Sequence, residues 1–416
     1  MSRRADAYWL AALAVMVGAA AVIAATSPLG IDYGNLACHF TSDWCDEAGF
    51  PLHALIHGDF RGFFAQQPLM GPATLLVRAP FAALARFGGE DLLTVYRLGV
   101  FACLLVSGLV ALKVARLMVR SGRPPLQCAL IGGLIFINPA VFYAIDFGHP
   151  EEFVAAAACV ASAVSVLERR WTVAAVALGL AVASKPWALL VAPAVLLAVA
   201  PRARRQVALV AALTTLLLYA PMIAGDPARF RAVLTGATEL GSRPGTVTPA
   251  NIWWFTWARE ARFERVVAVR HGHLVTGSEV GYALPSRLTR TIHVLVTALA
   301  LILAIAWYRS RASGAQPVTL LLLFAVIFLL RCLLDPGNHS YYHVPAIASL
   351  LAYEGLSRRG LPWASLVLIG ALWATMTLDP HLTSDRTLAL VYLGWTIPAV
   401  IAGLWLLFRR SRVAVS

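Results

Sequence analysis

Charged residues are scarce in this sequence. Only 13% of its 416 residues are charged, whereas 59% are hydrophobic, and the mean hydropathy is +0.73. A water-soluble globular protein of this length does not need so much apolar surface. The shortage of charge therefore excludes a soluble enzyme or binding domain and favours a protein embedded in a membrane.

Lysine and cysteine are also rare. Lys113 and Lys185 are the only lysines among 34 basic residues, and the chain has six cysteines. Four cysteines lie within apolar stretches, where we expect them to pack as small apolar residues. Cys38 and Cys45 lie in a polar segment, where an oxidising compartment would permit a disulfide, but their spacing leaves both the free and the bonded state open.

Twelve apolar stretches predict an all-α polytopic membrane protein. A bilayer core about 30 Å thick needs roughly 20 apolar residues per helix. The fifth, sixth and tenth stretches are shorter, which predicts tilted, broken or re-entrant helices. We expect a single integral membrane domain over residues 1–416. The predicted spans are residues 7–25, 92–118, 126–145, 153–167, 172–184, 187–200, 206–224, 290–308, 317–334, 343–356, 361–378 and 386–408.

Arginine follows every second predicted span, which predicts that both termini are cytoplasmic. Only Asp6, Glu168 and Glu354 among the 21 acidic residues fall on this basic side. The net charge of +13 then serves mostly to hold anionic lipid headgroups, and nothing in the pattern supports a nucleic-acid partner. The outer face receives two long loops, residues 26–91 and 225–289.

The first outer loop begins with Asp32, a few residues beyond the first span. Residues 51–67 carry apolar side chains at helical spacing, which predicts an amphipathic helix lying in the membrane interface. Residues 69–87 are apolar but are interrupted by Arg78 and Pro80, so a second surface helix is expected. The two helices would form a shelf over the outer leaflet.

The short outer turn at residues 146–152 contains four ionisable residues, Asp146, His149, Glu151 and Glu152. Acids at the start of a helix are explained by the helix dipole alone. Asp146 and His149 are not needed for that purpose. The turn is therefore either an ordinary solvated turn or a substrate-facing site in which His149 and Glu151 bind substrate.

Lys185 lies between two half-length apolar stretches, directly before Pro186 and Trp187. Such a lysine either snorkels to the interface or reaches a lipid phosphate. Because a charge at a helix break within a membrane usually has a function, we favour a contact with phosphate.

Arg331 precedes a polar and aromatic segment, residues 335–343, which includes His339, Tyr341 and His343. This mixture suits either a sugar-binding site or an interfacial aromatic belt.

The second outer loop is rich in arginine and contains the tryptophans of residues 253–257. These arginines and tryptophans would either bind phosphate and sugar or form such a belt.

These features resemble the GT-C superfamily of membrane glycosyltransferases. The resemblance rests on the long loop after the first span, Asp32 at its start, surface helices behind it, 10 to 13 spans, and a small-residue helix that ends in Lys185 before Pro186. It covers nearly the whole chain and is closest to the bacterial polyprenyl-phosphate-mannose-dependent mannosyltransferases of the cell envelope. It implies a GT-C-like bundle of about 12 transmembrane helices whose two outer loops carry interfacial helices.

The resemblance also implies a reaction. A sugar, mannose in that family, would pass with inversion from a polyprenyl-phosphate donor to a lipid or glycan acceptor at the outer face. Asp32 would act as general base, while Lys185, helped by Arg331, would stabilise charge on the departing phosphate. No cofactor is required, although His339 and His343 at i and i+4 form an alternative site for a divalent ion.

Two other classes of protein remain open. A transporter or flippase of a lipid-linked or anionic substrate would explain twelve spans, but transporters usually place ionisable groups near the midplane of paired repeats. Here the charges collect at one surface, and no internal duplication is visible. A non-enzymatic scaffold would tolerate the loss of any single outer acid. The expected partners are the sugar donor, its acceptor and membrane lipid.

Overall fold

The computed structural model describes residues 3–27, 48–65, 67, 71–88, 91–232, 245–270, 273–311, 317–377 and 384–409. Helices dominate these residues. They are α1 (Arg3–Thr26), α2 (Phe50–Ile56), α3 (Phe60–Ala65), α4 (Pro72–Ala82), α5 (Leu92–Arg120), α6 (Pro125–Phe136), α7 (Pro139–Asp146), α8 (Glu151–Leu167), α9 (Trp171–Ser184), α10 (Ala192–Ala198), α11 (Pro201–Gly225), α12 (Ser286–Arg311), α13 (Thr319–Leu334), α14 (Val344–Ser357), α15 (Trp363–Thr377) and α16 (Asp385–Phe408). Three 3₁₀ helices cover Ala83–Phe87, Pro186–Val191 and Ser340–His343.

The protein is a polytopic helical membrane protein. Within the described residues, six helical segments are long and apolar enough to cross a bilayer, and four more apolar helices are shorter. The long segments are Tyr8–Thr26, Leu92–Arg120, Pro125–Asp146, Pro201–Gly225, Arg287–Ser310 and Asp385–Phe408. Each stretch predicted as a span overlaps one or two of these helices, and most ends lie within a few residues of the prediction.

The third predicted span is divided at Ile137 and Asn138, and α7 begins at Pro139. Pro139 lacks an amide hydrogen and is therefore favoured at the first position of a helix. The Asn138 side-chain oxygen accepts a hydrogen bond from the Ala140 amide at 3.0 Å, so it caps α7. The span consequently consists of α6 followed by α7.

Small residues allow the helices to approach closely. At Gly179 in α9, an added Cβ atom would lie 2.6 Å from Thr214 Cβ and 2.7 Å from the Ala211 carbonyl oxygen, both in α11. Such contacts between backbones are the usual basis of helix packing in membranes. They hold α9 against α11 and thereby position the end of α9.

The expectation for the first outer loop requires a correction. The single surface helix expected at residues 51–67 is divided into α2 and α3 by Gly58, whose φ is +72°. The second expected helix, α4, does not lie on the surface, because Leu75 and Arg78 are fully buried next to α5. α4 is therefore part of the bundle, and only the elements before it suit the expected shelf.

The entry into α4 contacts the end of α9. The Gly71 amide donates a hydrogen bond to the Ser184 carbonyl at 3.1 Å. A Cβ atom at Gly71 would lie 1.9 Å from the Ala183 carbonyl oxygen, so only glycine fits there. The first loop is thus joined to the chain directly before Lys185.

The all-α prediction was wrong for the second outer loop, which contains an antiparallel sheet. Its strands are β1 (Gly245–Thr246), β2 (Arg259–Arg270) and β3 (His273–Leu284), in the order β1-β3-β2. β2 and β3 pair from Arg259 opposite Ala283 to Arg270 opposite His273. β-branched residues at 266, 267, 269, 275 and 276, on both sides of the turn, are the sequence signal for this hairpin.

The segment between β1 and β2 is joined to the turn after α13. Thr248 donates from its amide to the Pro336 carbonyl at 3.1 Å, and the Asn251 side-chain amide donates to the same oxygen at 2.9 Å. The Trp253 indole donates to the Leu334 carbonyl at 2.6 Å. Leu334 is the last residue of α13, and the final carbonyl groups of a helix have no hydrogen-bond partner within the helix. Trp253 therefore supports the structure of this turn.

Candidate functional site

Three polar breaks between helices meet at one end of the bundle, which we call the site end. They are the α7–α8 turn, the break between α9 and the 3₁₀ helix Pro186–Val191, and the turn between α13 and α14. Each break carries residues that the sequence indicated as functional. The structure brings three of these side chains, those of His149, Glu151 and Lys185, into one buried cluster.

Glu151 is the centre of the cluster. Its carboxylate lies 2.9 Å from Arg78 Nη2, 2.8 Å from His149 Nδ1 and 3.0 Å from Lys185 Nζ. The side chains of Glu151 and Arg78 are fully buried. A charge is tolerated at such a depth only when it is paired and hydrogen-bonded, so these contacts hold α4, α8 and α9 together.

Lys185 joins the two acids of α8. Its ammonium lies 3.4 Å from Glu152 Oε1 in addition to its contact with Glu151. The position follows from the sequence, because Pro186 disfavours helical geometry in the residue before it, and Lys185 adopts an extended conformation with φ −145° and ψ 125°. The Trp187 indole then donates to Glu152 Oε2 at 3.0 Å.

Arg331 lies beside this cluster, near the end of α13. Its guanidinium carbon is 4.3 Å from the centre of the Tyr342 ring and 5.4 Å from that of Trp187, within range of cation–π attraction. Its Nε atom lies 3.7 Å from the Asp335 carboxylate. Within the described part of the chain, the buried Nη1 atom of Arg331 has no hydrogen-bond partner.

A pocket of about 440 Å³ opens in front of Arg331. Leu189 and Thr297 on its walls are exposed, so the pocket opens on the side of the bundle. Its walls combine apolar side chains with the charged pair of Arg331 and Asp335. The lining residues are Pro186, Trp187, Leu189, Leu190, His293, Val296, Thr297, Arg331 and Asp335.

An aromatic group adjoins the cluster on the side of His149. The His149 ring lies 4.6 Å from the Tyr341 ring, and His339 stacks on Tyr341 at 5.3 Å with an angle of 3° between the planes. Phe147 contacts both, with ring centres 5.8 Å from Tyr341 and 6.4 Å from His339. Phe147 remains 49% exposed, whereas Tyr341 is buried, so only part of this group reaches the surface.

His343 lies apart from these groups. Its Nδ1 atom is 3.1 Å from the Ser340 carbonyl, which only accepts, so Nδ1 carries the proton and Nε2 accepts from the Tyr392 hydroxyl at 3.0 Å. The described contacts give His343 a structural role between the turn and α16.

Some predicted residues were not brought into the site, and some site residues were not predicted. Asp32, the predicted base, lies outside the described residues, as do Cys38 and Cys45 with their possible disulfide. Arg78 was interpreted only as an interruption of a surface helix, although a lone arginine in an apolar run was a signal of buried pairing. Glu152 was explained by the helix dipole, and its contact with Lys185 was not foreseen.

The described residues hold no group of three or more His, Cys, Asp and Glu side chains suited to a metal ion. No protein-family model matches the sequence, and no curated protein shows a significant match to it.

Proposed function

We propose that this protein is a glycosyltransferase that moves a sugar, as mannose in the family it resembles, from a polyprenyl-phosphate donor to a lipid or glycan acceptor of the cell envelope. The observation that carries the proposal is the buried Arg331 in a pocket that opens on the side of the bundle. In this proposal the site end is the outer face, the bundle crosses the membrane about twelve times, and both termini are cytoplasmic.

The pocket suits a ligand with an anionic head and an apolar chain. The Nη1 donor of Arg331 is buried and has no hydrogen-bond partner among the described residues, a costly arrangement that a phosphate oxygen would relieve. Leu189 is 57% exposed at the opening, so an isoprenoid chain would pass along it into the lipid. A soluble phosphate compound would gain nothing from these apolar walls, whereas a lipid phosphate uses both parts of the pocket.

The cations beside the pocket suit the departure of a phosphate. A polyprenyl-phosphate sugar is a phosphodiester with one negative charge, and breaking its bond to the sugar leaves a monoester with a second. Arg331 and Lys185 would stabilise that added charge in a site shielded from water. Trp187 connects the two cations, since its ring faces Arg331 and its indole donates to the acid paired with Lys185.

The attacking group would be an acceptor hydroxyl. Asp32, by resemblance, would take the hydroxyl proton as the new bond forms at the anomeric carbon from the face opposite the phosphate. His149 and Glu151 would shape the acceptor side of the site. No cofactor is needed, because the charge that develops is balanced by side chains.

The test measures sugar transfer in lipid nanodiscs with radiolabelled polyprenyl-phosphate mannose and a glycolipid extract of the envelope. Wild-type protein should transfer the sugar, and Asp32→Asn should abolish transfer without unfolding the protein. Arg331→Gln should raise the KM for the donor roughly 10- to 100-fold, the effect of losing a charge-assisted contact. Arg386→Gln is the matched control, because Arg386 lies exposed at the start of α16, and it should behave as wild type.

Two results would contradict the proposal. Transfer that survives in Asp32→Asn would mean that another group is the base. No transfer from any lipid-linked donor, together with movement of the donor across the bilayer of proteoliposomes, would identify a flippase instead.

A further inference from the structure

His293 lines the pocket in front of Arg331. It lies on α12, whereas Arg331 belongs to α13. We propose that His293 is a further catalytic residue, which binds the donor phosphate as imidazolium and gives its proton to that phosphate as the bond to the sugar breaks. The inference rests on the proposed function for the proton transfer, but the binding of a phosphate ester by His293 does not depend on it.

The first support is the position of His293 on the pocket wall. His293, Val296 and Thr297 are spaced i, i+3 and i+4, so they lie on one face of α12, and all three line the pocket. Arg331 and Asp335, one turn apart at the end of α13, line it as well. The imidazole is exposed, so a ligand in the pocket can reach both His293 and Arg331.

The second support is the balance of charge at the site. With His149 counted as neutral, its described ion pairs contain three cations and three acids, so their formal charges cancel. They are Arg78, Lys185 and Arg331 with Glu151, Glu152 and Asp335. The departing phosphate would carry two negative charges, and a charge without compensation is costly in a site shielded from water. A protonated His293 supplies a further positive charge directly in the pocket.

The third support is the chemistry of an imidazole. Histidine is the side chain whose charge ordinarily changes between pH 5 and 8, and a phosphate monoester takes up a proton in the same range, at about pH 6. Because the two groups bind the proton with similar affinity, its transfer between them costs little free energy. Arg331 cannot release a proton near neutral pH, and Lys185 is held by two carboxylates. Among the lining residues, His293 is therefore suited to this step.

The proposed step moves two protons. The bond between the anomeric carbon and the phosphate oxygen breaks, and its electron pair stays on that oxygen. The acceptor oxygen bonds to the anomeric carbon and releases its proton to the base, which is Asp32 by resemblance. The proton of His293 passes to a phosphate oxygen, so the lipid product leaves as a monoanion. The neutral imidazole then takes up a proton from water.

Ionisable groups on the elements packed against α12 influence the charge of His293. Arg331 disfavours the imidazolium, and Asp335 favours it. The 3₁₀ helix Pro186–Val191 and α10 contain no ionisable side chain. A bound phosphate adds a negative charge and therefore favours the imidazolium. The other ionisable groups are Cys332 on α13, Asp385, Arg386 and Tyr392 on α16, and Arg287 and Arg290 in the first two turns of α12 itself.

Binding of a phosphodiester tests His293 without requiring transfer. The probe is farnesyl methyl phosphate, whose single negative charge is constant from pH 5.5 to 8, and calorimetry on purified protein in detergent gives its affinity. We expect the dissociation constant of the wild type to rise about tenfold between these pH values, as one charged contact is lost. His293→Gln should bind about tenfold more weakly at pH 5.5 and without this pH dependence, whereas His293→Arg should bind tightly at both pH values.

Two controls accompany the binding experiment. His57→Gln should behave as wild type, because His57 is an exposed histidine outside the pocket. The variants of His293 should keep the wild-type melting temperature, since the side chain is exposed. Absence of binding to the wild type, or binding to His293→Gln as tight as to the wild type at pH 5.5, would overturn the inference.

Transfer assays test the proton transfer and separate the two proposals. If the proposed function holds, His293→Gln should lower kcat about 100-fold and remove its decrease at high pH, as expected for the loss of a general acid. His293→Arg should restore the KM for the donor but not kcat, because arginine holds its proton. An unchanged kcat in His293→Gln would refute the proton transfer alone. Binding that depends on His293 in a protein without transferase activity would confirm the phosphate contact and refute the proposed function.

Discussion

Replacing Glu151 by glutamine should destabilise the protein far more than the same change at the neighbouring Glu152. Glu151 is fully buried and receives Arg78, His149 and Lys185 at 2.8 to 3.0 Å. Glutamine has nearly the same shape but no charge, and its amide group would present hydrogens to donors. The substitution would remove the negative charge that Arg78 and Lys185 face at 2.9 and 3.0 Å, while Lys185 would keep its contact with Glu152 at 3.4 Å.

The magnitude follows from that change. Removing one partner of a buried ion pair typically costs about 3 to 5 kcal/mol, because the remaining charge is not solvated. The Arg78 and Glu151 side chains are both fully buried, so a cost in this range is expected for Glu151→Gln. In Glu152→Gln, Lys185 keeps Glu151, and the glutamine oxygen still accepts from the Trp187 indole, so the loss should be about 1 kcal/mol.

Equilibrium unfolding in mixed micelles with increasing dodecyl sulfate, followed by tryptophan fluorescence, would give the free energies. A third variant, Arg78→Met with Glu151→Gln, should recover part of the loss, since it also removes the buried guanidinium that Glu151 faces in the wild type. Equal effects of Glu151→Gln and Glu152→Gln, or a double variant that is less stable than the sum of its single changes, would refute the assignment of Glu151 as the counter-charge.

Two further outcomes are expected. Gly71→Ala should cost about 1 to 3 kcal/mol and lower transfer activity, because its Cβ atom meets the Ala183 carbonyl, whereas Gly88→Ala, with nothing within 4 Å, should leave the melting temperature unchanged. Trp253→Phe should cost about 1 to 2 kcal/mol by leaving the Leu334 carbonyl unpaired, and a melting temperature no lower than that of the exposed-site control Trp257→Phe would contradict this.

Much of the helical architecture could be predicted because a bilayer imposes a simple rule on composition. Apolar runs bounded by arginine or proline gave helix ends within a few residues in most cases, and Pro186 indicated the break at Lys185. The β2–β3 hairpin was not predicted, because the arginines of this segment indicated a ligand-binding loop and outweighed the β-branched residues between them. The burial of α4 was missed because Arg78 was treated as exposed, and its partner Glu151 lies 73 residues away in the sequence.

The site was predicted in outline only. His149, Glu151 and Lys185 were each chosen as single residues, and the structure shows them in contact. Sequence spacing gave no way to see that His343 would face Tyr392, since its environment depends on how α16 packs against the turn. Pairing between distant residues is a property of the fold, and short motifs do not encode it.

The burial of the Glu151 cluster has a consequence for how the protein responds to ionic strength. Dissolved ions screen exposed charges over about 10 Å at 0.1 M salt but do not enter a packed interior. The attraction of the exposed arginines at the bundle ends to anionic headgroups should therefore weaken in concentrated salt, while the pairs of Arg78 and Lys185 with Glu151 persist. A ligand that reaches the pocket by lateral diffusion within the bilayer would therefore meet the same buried charges at low and at high ionic strength.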